Sequence, residues 1–211
     1  MRNTNKLVRG IGVKGTDYPA CSNGKDTKEY TLWSSMLTRC TEKLWVRRPT
    51  YVGTTCSENF KLYSFFYEWC QEQVGFNGRD GKGRKWHLDK DLLVRGNKVY
   101  SEDMCVFIPH SMNNLLTNCN NSRGEWPIGV RKRNSKFLAE CGAGKNGRRG
   151  LDGKWVRGQK HIGCFDTQEE AFRAYKKFKE ALIKEVANEY KDKLDPRAYQ
   201  ALLNYTVEIT D

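Results

Sequence analysis

The chain has 211 residues, with 37 Lys and Arg against 25 Asp and Glu, and a formal net charge of +12. That length allows one large domain or two small ones, and no apolar run reaches the roughly 20 residues needed to cross a bilayer. The charge excess suits a polyanionic partner, because neutralising phosphates releases counterions.

The start, Met1-Arg2-Asn3-Thr4-Asn5-Lys6, leads into no long apolar core. No secretory signal is therefore expected, and a cytoplasmic location follows. Residues 1–27 read as irregular, with Gly10, Gly12, Gly15 and Gly24 interrupting any helical pattern. From Tyr30 to Cys40, Leu32, Trp33, Met36 and Leu37 recur at helical spacing and read as core. A second helix is expected from about Ser57 to Val74. Ser57 suits its N-cap, and Phe60, Leu62, Tyr63, Phe66, Trp69 and Cys70 supply a broad apolar face. Residues 75–85, rich in Gly, Arg and Lys, read as a mobile basic loop whose Arg79, Lys82, Arg84 and Lys85 contact phosphate.

The stretch from Trp86 to Leu116 reads as strand, tight turn, strand and helix. Side chains alternate along a strand, so His87, Asp89 and Asp91 are expected on one face. Gly96-Asn97 supplies the turn. A helix laid across the hairpin brings Asn113 or Asn114 towards Asp89, a seat for one hard divalent cation such as Mg or Mn.

These residues are Leu88-Asp89-Lys90-Asp91, Tyr100-Ser101-Glu102-Asp103-Met104-Cys105 and Asn113-Asn114. In that order they resemble the ββα-metal core of phage-encoded HNH endonucleases. The resemblance implies Asp89 and Asn113 as metal ligands. Two positions depart from the family: Lys90 stands where it has its general-base histidine, and Met104 where it has the asparagine that orients that base. His87, on Asp89's strand face, is one candidate base. Lys90 is the other, and a lysine needs strong desolvation to serve near neutral pH.

Thr117 to Gly124 turns polar and reads as a linker. Beyond it come Gly129-Val130-Arg131-Lys132-Arg133, Lys136-Phe137-Leu138-Ala139-Glu140, His161-Ile162-Gly163-Cys164-Phe165-Asp166-Thr167 and Gln168-Glu169-Glu170-Ala171. In that order they resemble the AP2 DNA-binding domain over about residues 127–190. The resemblance implies a three-stranded sheet laid in the major groove, with Arg131 and Arg133 matching family arginines. Phe137 and His161 stand where the family has DNA-facing tryptophans. Charge supports the same surface independently: from Ser122 to Phe165 eleven Lys and Arg oppose three acids, a local net of +8. A basic sheet with Lys136, Arg148 and Arg149, and with Phe137, Trp155 and His161 interleaved, suits DNA contact. The following helix carries an apolar face of Ala171, Phe172, Tyr175, Phe178, Leu182, Val186 and Tyr190, with Lys176, Lys177 and Lys179 read as solvated. Asp195-Pro196 opens a last short helix.

Eight cysteines, none in a Cys-x-x-Cys pair, argue against a zinc ribbon and read mostly as small buried groups. The expected fold is α+β: an HNH-like domain over 1–118, a linker over 119–126 and an AP2-like domain over 127–211. The expected function is a double-stranded-DNA-binding protein of the phage HNH type, a metal-dependent endonuclease or nickase in the cytoplasm of a bacterial host. Its rivals are a catalytically degenerate DNA-binding regulator and a factor that binds a host protein.

Overall fold

The computed structural model describes residues 7–117, 125–142 and 160–211, together with the backbone of 148–149 and 155–156. The chain is mixed α+β and divides into two compact units, 1–108 with 193–198, and 109–192 with 199–211. Of the expected linker, residues 118–124 lie outside the described residues. Among the described residues no helix is long and apolar enough to cross a membrane.

The first unit opens with a small hairpin, Cys21–Ser22 (β1) and Lys25–Asp26 (β2), where irregular chain was expected. Asn23 and Gly24 at its tip both have positive φ (51° and 73°), the combination an Asn-Gly turn favours. Helix Lys28–Arg39 (α1) is capped by Thr27, whose hydroxyl accepts the Tyr30 amide, and it buries Trp33, Met36 and Leu37. A short helix, Glu42–Trp45 (α2), follows.

The helix expected over 57–74 is two helices, Glu58–Lys61 (α3) and Tyr63–Glu72 (α4). Ser57 caps the first as expected, but Leu62 adopts extended dihedrals. The cause lies far away in sequence: Val13 bridges to Leu62, donating to the Lys61 carbonyl and accepting from the Tyr63 amide. Gly12 makes that approach possible, since a Cβ there would stand 2.4–2.5 Å from Leu37 and Trp33. Trp33 Nε1 donates to the Phe60 carbonyl at 2.8 Å, locking α1 to α3. Phe66 and Trp69 each meet the Phe60 ring edge to face beneath. Each fully buried aromatic of this kind contributes on the order of 2–3 kcal/mol.

Strand pairing corrects the expected hairpin. His87–Asp89 (β4) pairs antiparallel with Val106–Ile108 (β6), not with the chain just after Gly96-Asn97. Val99–Tyr100 (β5) pairs in parallel with Thr55–Cys56 (β3) instead. Gly96 does take positive φ, but it shapes a loop closed by Asn97, whose amide donates to the carbonyls of Lys90 and Val99. The basic loop closes into a turn around Asp80. The Asp80 side chain is 2% exposed, accepts the amides of Lys82 and Arg84, and pairs with the Arg84 guanidinium at 2.7 Å.

The second unit begins with helix His110–Leu116 (α5). Its sheet is Val130–Arg133 (β7), Lys136–Cys141 (β8) and a later third strand, with a separate strand pair, Arg148–Arg149 (β9) and Trp155–Val156 (β10), in between. The third strand, Lys160–Phe165 (β11), pairs antiparallel with β8, which pairs antiparallel with β7. Helix Gln168–Glu189 (α6) starts at a capping box formed by Thr167 and Glu170. It packs on one side of the sheet, burying Ala171, Phe172 and Tyr175 against Ile128, Val130, Ala139 and Cys141. Gly129, at φ +75°, lies flat on the Tyr175 ring, and a Cβ there would stand 2.0 Å from it.

The expected solvated lysines of α6 are not all solvated. Lys179 is buried, and Lys176 donates to the Val207 carbonyl while Glu180 accepts the Val207 amide. The tail around Tyr205 and Val207 is thereby strapped to α6. The last helix, Pro196–Leu203 (α7), runs across the division between units.

Candidate nucleic-acid interface and the Asp89 strand

The sheet presents two sides. Phe137, Ala139 and Cys141 share the α6 side, so alternation puts Lys136, Leu138 and Glu140 on the other. Cross-strand register adds Arg131 opposite Leu138, Arg133 opposite Lys136, and His161 opposite Glu140. Arg131, Arg133, Lys136 and His161 are exposed there, and Leu138 is buried at the centre.

Phe137 is therefore not where the AP2 resemblance put it. Its partly buried ring packs against the α6 core and meets Trp126 edge to face at 5.2 Å. Lys132 Nζ stands 5.7 Å from the Trp126 ring and 5.8 Å from that of Phe137. The side chains expected to contact DNA from Arg148, Arg149 and Trp155 lie outside the described residues.

Much of the charge on this side is already neutralised. Glu140 takes the Arg131 fork, with Nε at 2.6 Å and Nη2 at 2.9 Å, and holds that guanidinium above its ordinary pKa. Lys136 pairs with Asp166, which likewise raises the lysine. Arg133 has no ionic partner among the described residues. His161 stands 3.8 Å from Glu140 Oε1 through Nδ1 and 3.7 Å from Cys164 Sγ through Nε2. The roles of Glu140 and Asp166 escape a sequence reading. Glu140 is diagonal to Arg131, a contact visible only once the register is fixed.

The second candidate region is the strand β4. His87 and Asp89 share a face by alternation, but the strand ends at Asp89 and Asp91 leaves that face. Asp89 Oδ1 accepts the backbone amides of Asp91 and Leu92 at 3.0 and 2.8 Å, which turns the chain out of the strand. Burial, and then the charge of Asp91, push the Asp89 carboxyl up to about 6, against the favourable charge of Arg39 nearby. Arg39 is a residue that sequence reasoning passed over. Its Nη1 donates to the Tyr100 hydroxyl at 3.2 Å.

Lys90, the other candidate base, is buried and engaged as a donor. Its Nζ reaches the Asn97 carbonyl at 2.6 Å and Asp91 Oδ2 at 3.3 Å. It closes the loop after β4. Met104, at the position of the family's orienting amide, sits in a turn that donates its backbone amide to the Ser101 carbonyl.

The cation seat expected from the sequence drew on Asp89 and on Asn113 or Asn114, with His87 and Asp91 on the same strand face. Among the described residues no three His, Cys, Asp or Glu side chains come together as a metal-holding group. Asp89 belongs to the first unit and Asn113, the other expected ligand, to the second. Within the first unit the donors do not fit a hard cation: one Asp89 oxygen holds two amides, and the neighbouring carboxylate faces an ammonium. No known protein family, curated protein or solved structure matches the chain.

Proposed function

We propose that the chain is a duplex-DNA-binding protein that contacts DNA through the side of the β7-β8-β11 sheet opposite α6. One observation carries this reading: α6 fills one side of the sheet, while the other exposes Arg131, Arg133, Lys136 and His161. Phosphate contacts from such cations position a protein on the duplex, and base-edge contacts then give sequence preference. The order of strand motifs that resembles the AP2 domain, and the local +8 charge, point the same way. Arg133 leads this surface, because Arg131 and Lys136 each share their charge with an acid.

On this reading the β4-β6 region, whose sequence resembles HNH nucleases, is a relic within a DNA-binding protein. No hydrolytic step is assigned to His87, Asp89 or Lys90. The test has two parts. Arg133→Ala, alone and with Arg131→Ala, is expected to weaken duplex binding, the double change by at least about tenfold at roughly 1–3 kcal/mol per good contact. Wild-type protein incubated with supercoiled plasmid and magnesium or manganese is expected to bind and leave it intact. Unchanged affinity in the folded double variant would remove the sheet as the contact surface. Nicking lost in Asp89→Ala would restore the nuclease.

A further inference from the structure

The turn before β4 sets two like charges opposite one another. Asp80 donates its amide to the Arg84 carbonyl, and the Trp86 amide donates to the Gly78 carbonyl. Those two bonds bracket an antiparallel bridge between Arg79 and Lys85. Such a bracketed pair is the non-hydrogen-bonded kind, in which opposed side chains lie closest on a shared face. Like charges directly opposite one another destabilise a strand pair. Both residues are exposed. Lys82 is exposed at the tip of the same turn.

Three features hold this arrangement in place. The only acid of the turn, Asp80, points inward and is fully engaged by Arg84 and two amides, so it does not neutralise the outer pair. Trp86 is buried under Gly75 and Gly78, where a Cβ on either glycine would come within 2.4–2.6 Å of its ring. Arg79 Nη1 donates to the Gly83 carbonyl at 2.8 Å, which aims one edge of its fork along the turn and leaves its remaining donors outward. Lys28, held over the Phe76 ring at 3.6 Å, lies close enough to be depressed by the charges of Lys85 and Arg79, after the larger effect of its burial.

We propose that Arg79 and Lys85 form a phosphate site, gripping one backbone phosphate of duplex DNA between them, with Lys82 beside it. A phosphate oxygen pair accepts from a guanidinium fork and an ammonium together, and its charge removes the repulsion between them. Arg84, expected in sequence to contact phosphate, is excluded because Asp80 occupies it. The site rests on duplex DNA as the partner but not on the sheet surface.

The test uses the full chain, a fluorescein-labelled duplex and a series of KCl concentrations. In Arg79→Gln/Lys85→Gln the slope of log affinity against log salt is expected to become shallower by about 1, the value for one lost phosphate contact. The loss should be the same for unrelated duplex sequences. Lys85→Gln alone should also raise the melting temperature of the DNA-free protein while weakening DNA binding. A residue that merely held the turn together would lower both. An unchanged slope in the folded double variant overturns the site and leaves the sheet reading standing. If that variant loses the slope while Arg131→Ala/Arg133→Ala binds normally, the sheet reading falls and this site stands. Wild-type protein that binds no duplex overturns both.

Discussion

The two basic surfaces differ in where their acids point. On the sheet, Glu140 and Asp166 lie beside Arg131 and Lys136 and cancel much of the charge that composition suggests. In the turn around Asp80 the one acid faces inward, and Arg79 and Lys85 are left opposed and exposed. A stretch with local net +8 therefore offers less free charge among its described residues than its composition promises, whereas the turn over 79–85 keeps Arg79, Lys82 and Lys85 outside its one acid pair. The lesson is that net charge measures attraction at a distance, and pairing decides which cations are available at contact.

The largest expected effect separates the sheet from its support. Gly129→Ala forces a Cβ into the Tyr175 ring at a positive φ, and should cost about 3 kcal/mol or more. Thermal unfolding of the variant checks this. Duplex affinity should fall with it if the sheet is the contact surface.

Asp80→Ala attacks the turn in the same way. It strands two amides and the Arg84 guanidinium, at a cost of about 3 kcal/mol. Burial raises the Asp80 carboxyl, but its bonds to Arg84 and to the amides of Arg84 and Lys82 outweigh that and hold it below its ordinary value. The unfolded chain then binds the proton more readily, so this stability is present above about pH 4 and is lost as pH falls further. Urea unfolding from acid to neutral pH should show that slope in the wild type and a flatter one in Asp80→Asn.

Asp89 is the opposite case. Its carboxyl is raised to about 6, so its contribution is greatest near pH 4 and is lost as pH climbs through 6. Asp89→Asn keeps the Oδ1 that accepts the amides of Asp91 and Leu92 while removing the repulsion from Asp91. It should stabilise the protein by about 2 kcal/mol at pH 7.5, measured by urea unfolding. A loss of stability there would mean that Asp89 is held as a carboxylate by a partner charge.

The smallest effect bears on the sheet alone. Glu140→Gln frees the Arg131 fork and should tighten duplex binding by on the order of 1 kcal/mol. Weaker binding instead would mean that Glu140 positions Arg131 for contact.

What was legible in the sequence follows the range of the interactions. The start of α6 is local: Thr167 and Glu170 make a capping box within one turn, and the apolar period behind it is long. The three strands β7, β8 and β11 also fall where the motif order put them. The Asn23-Gly24 turn was written in the chain and was hidden among glycines read only as breakers. Phe137 was misplaced although the alternation Phe137, Ala139, Cys141 marks an inward side, because the resemblance outweighed the pattern. The break at Leu62 was not legible at all. It depends on Val13, nearly fifty residues earlier, entering the backbone ladder. The pairing of β4 with β6 rather than with the chain after Gly96 is of the same kind, since strands this short carry too few residues to specify a partner.

The measurement that bears most directly on the proposed function is fluorescence anisotropy of a labelled duplex titrated with the full wild-type chain as KCl rises. Contacts from Arg133, the Arg79–Lys85 pair and Lys82 predict a log–log slope of about −3 or steeper, at about 0.9 per phosphate neutralised. No binding at low salt, or binding that salt leaves unchanged, would contradict the reading of this chain as a DNA-binding protein.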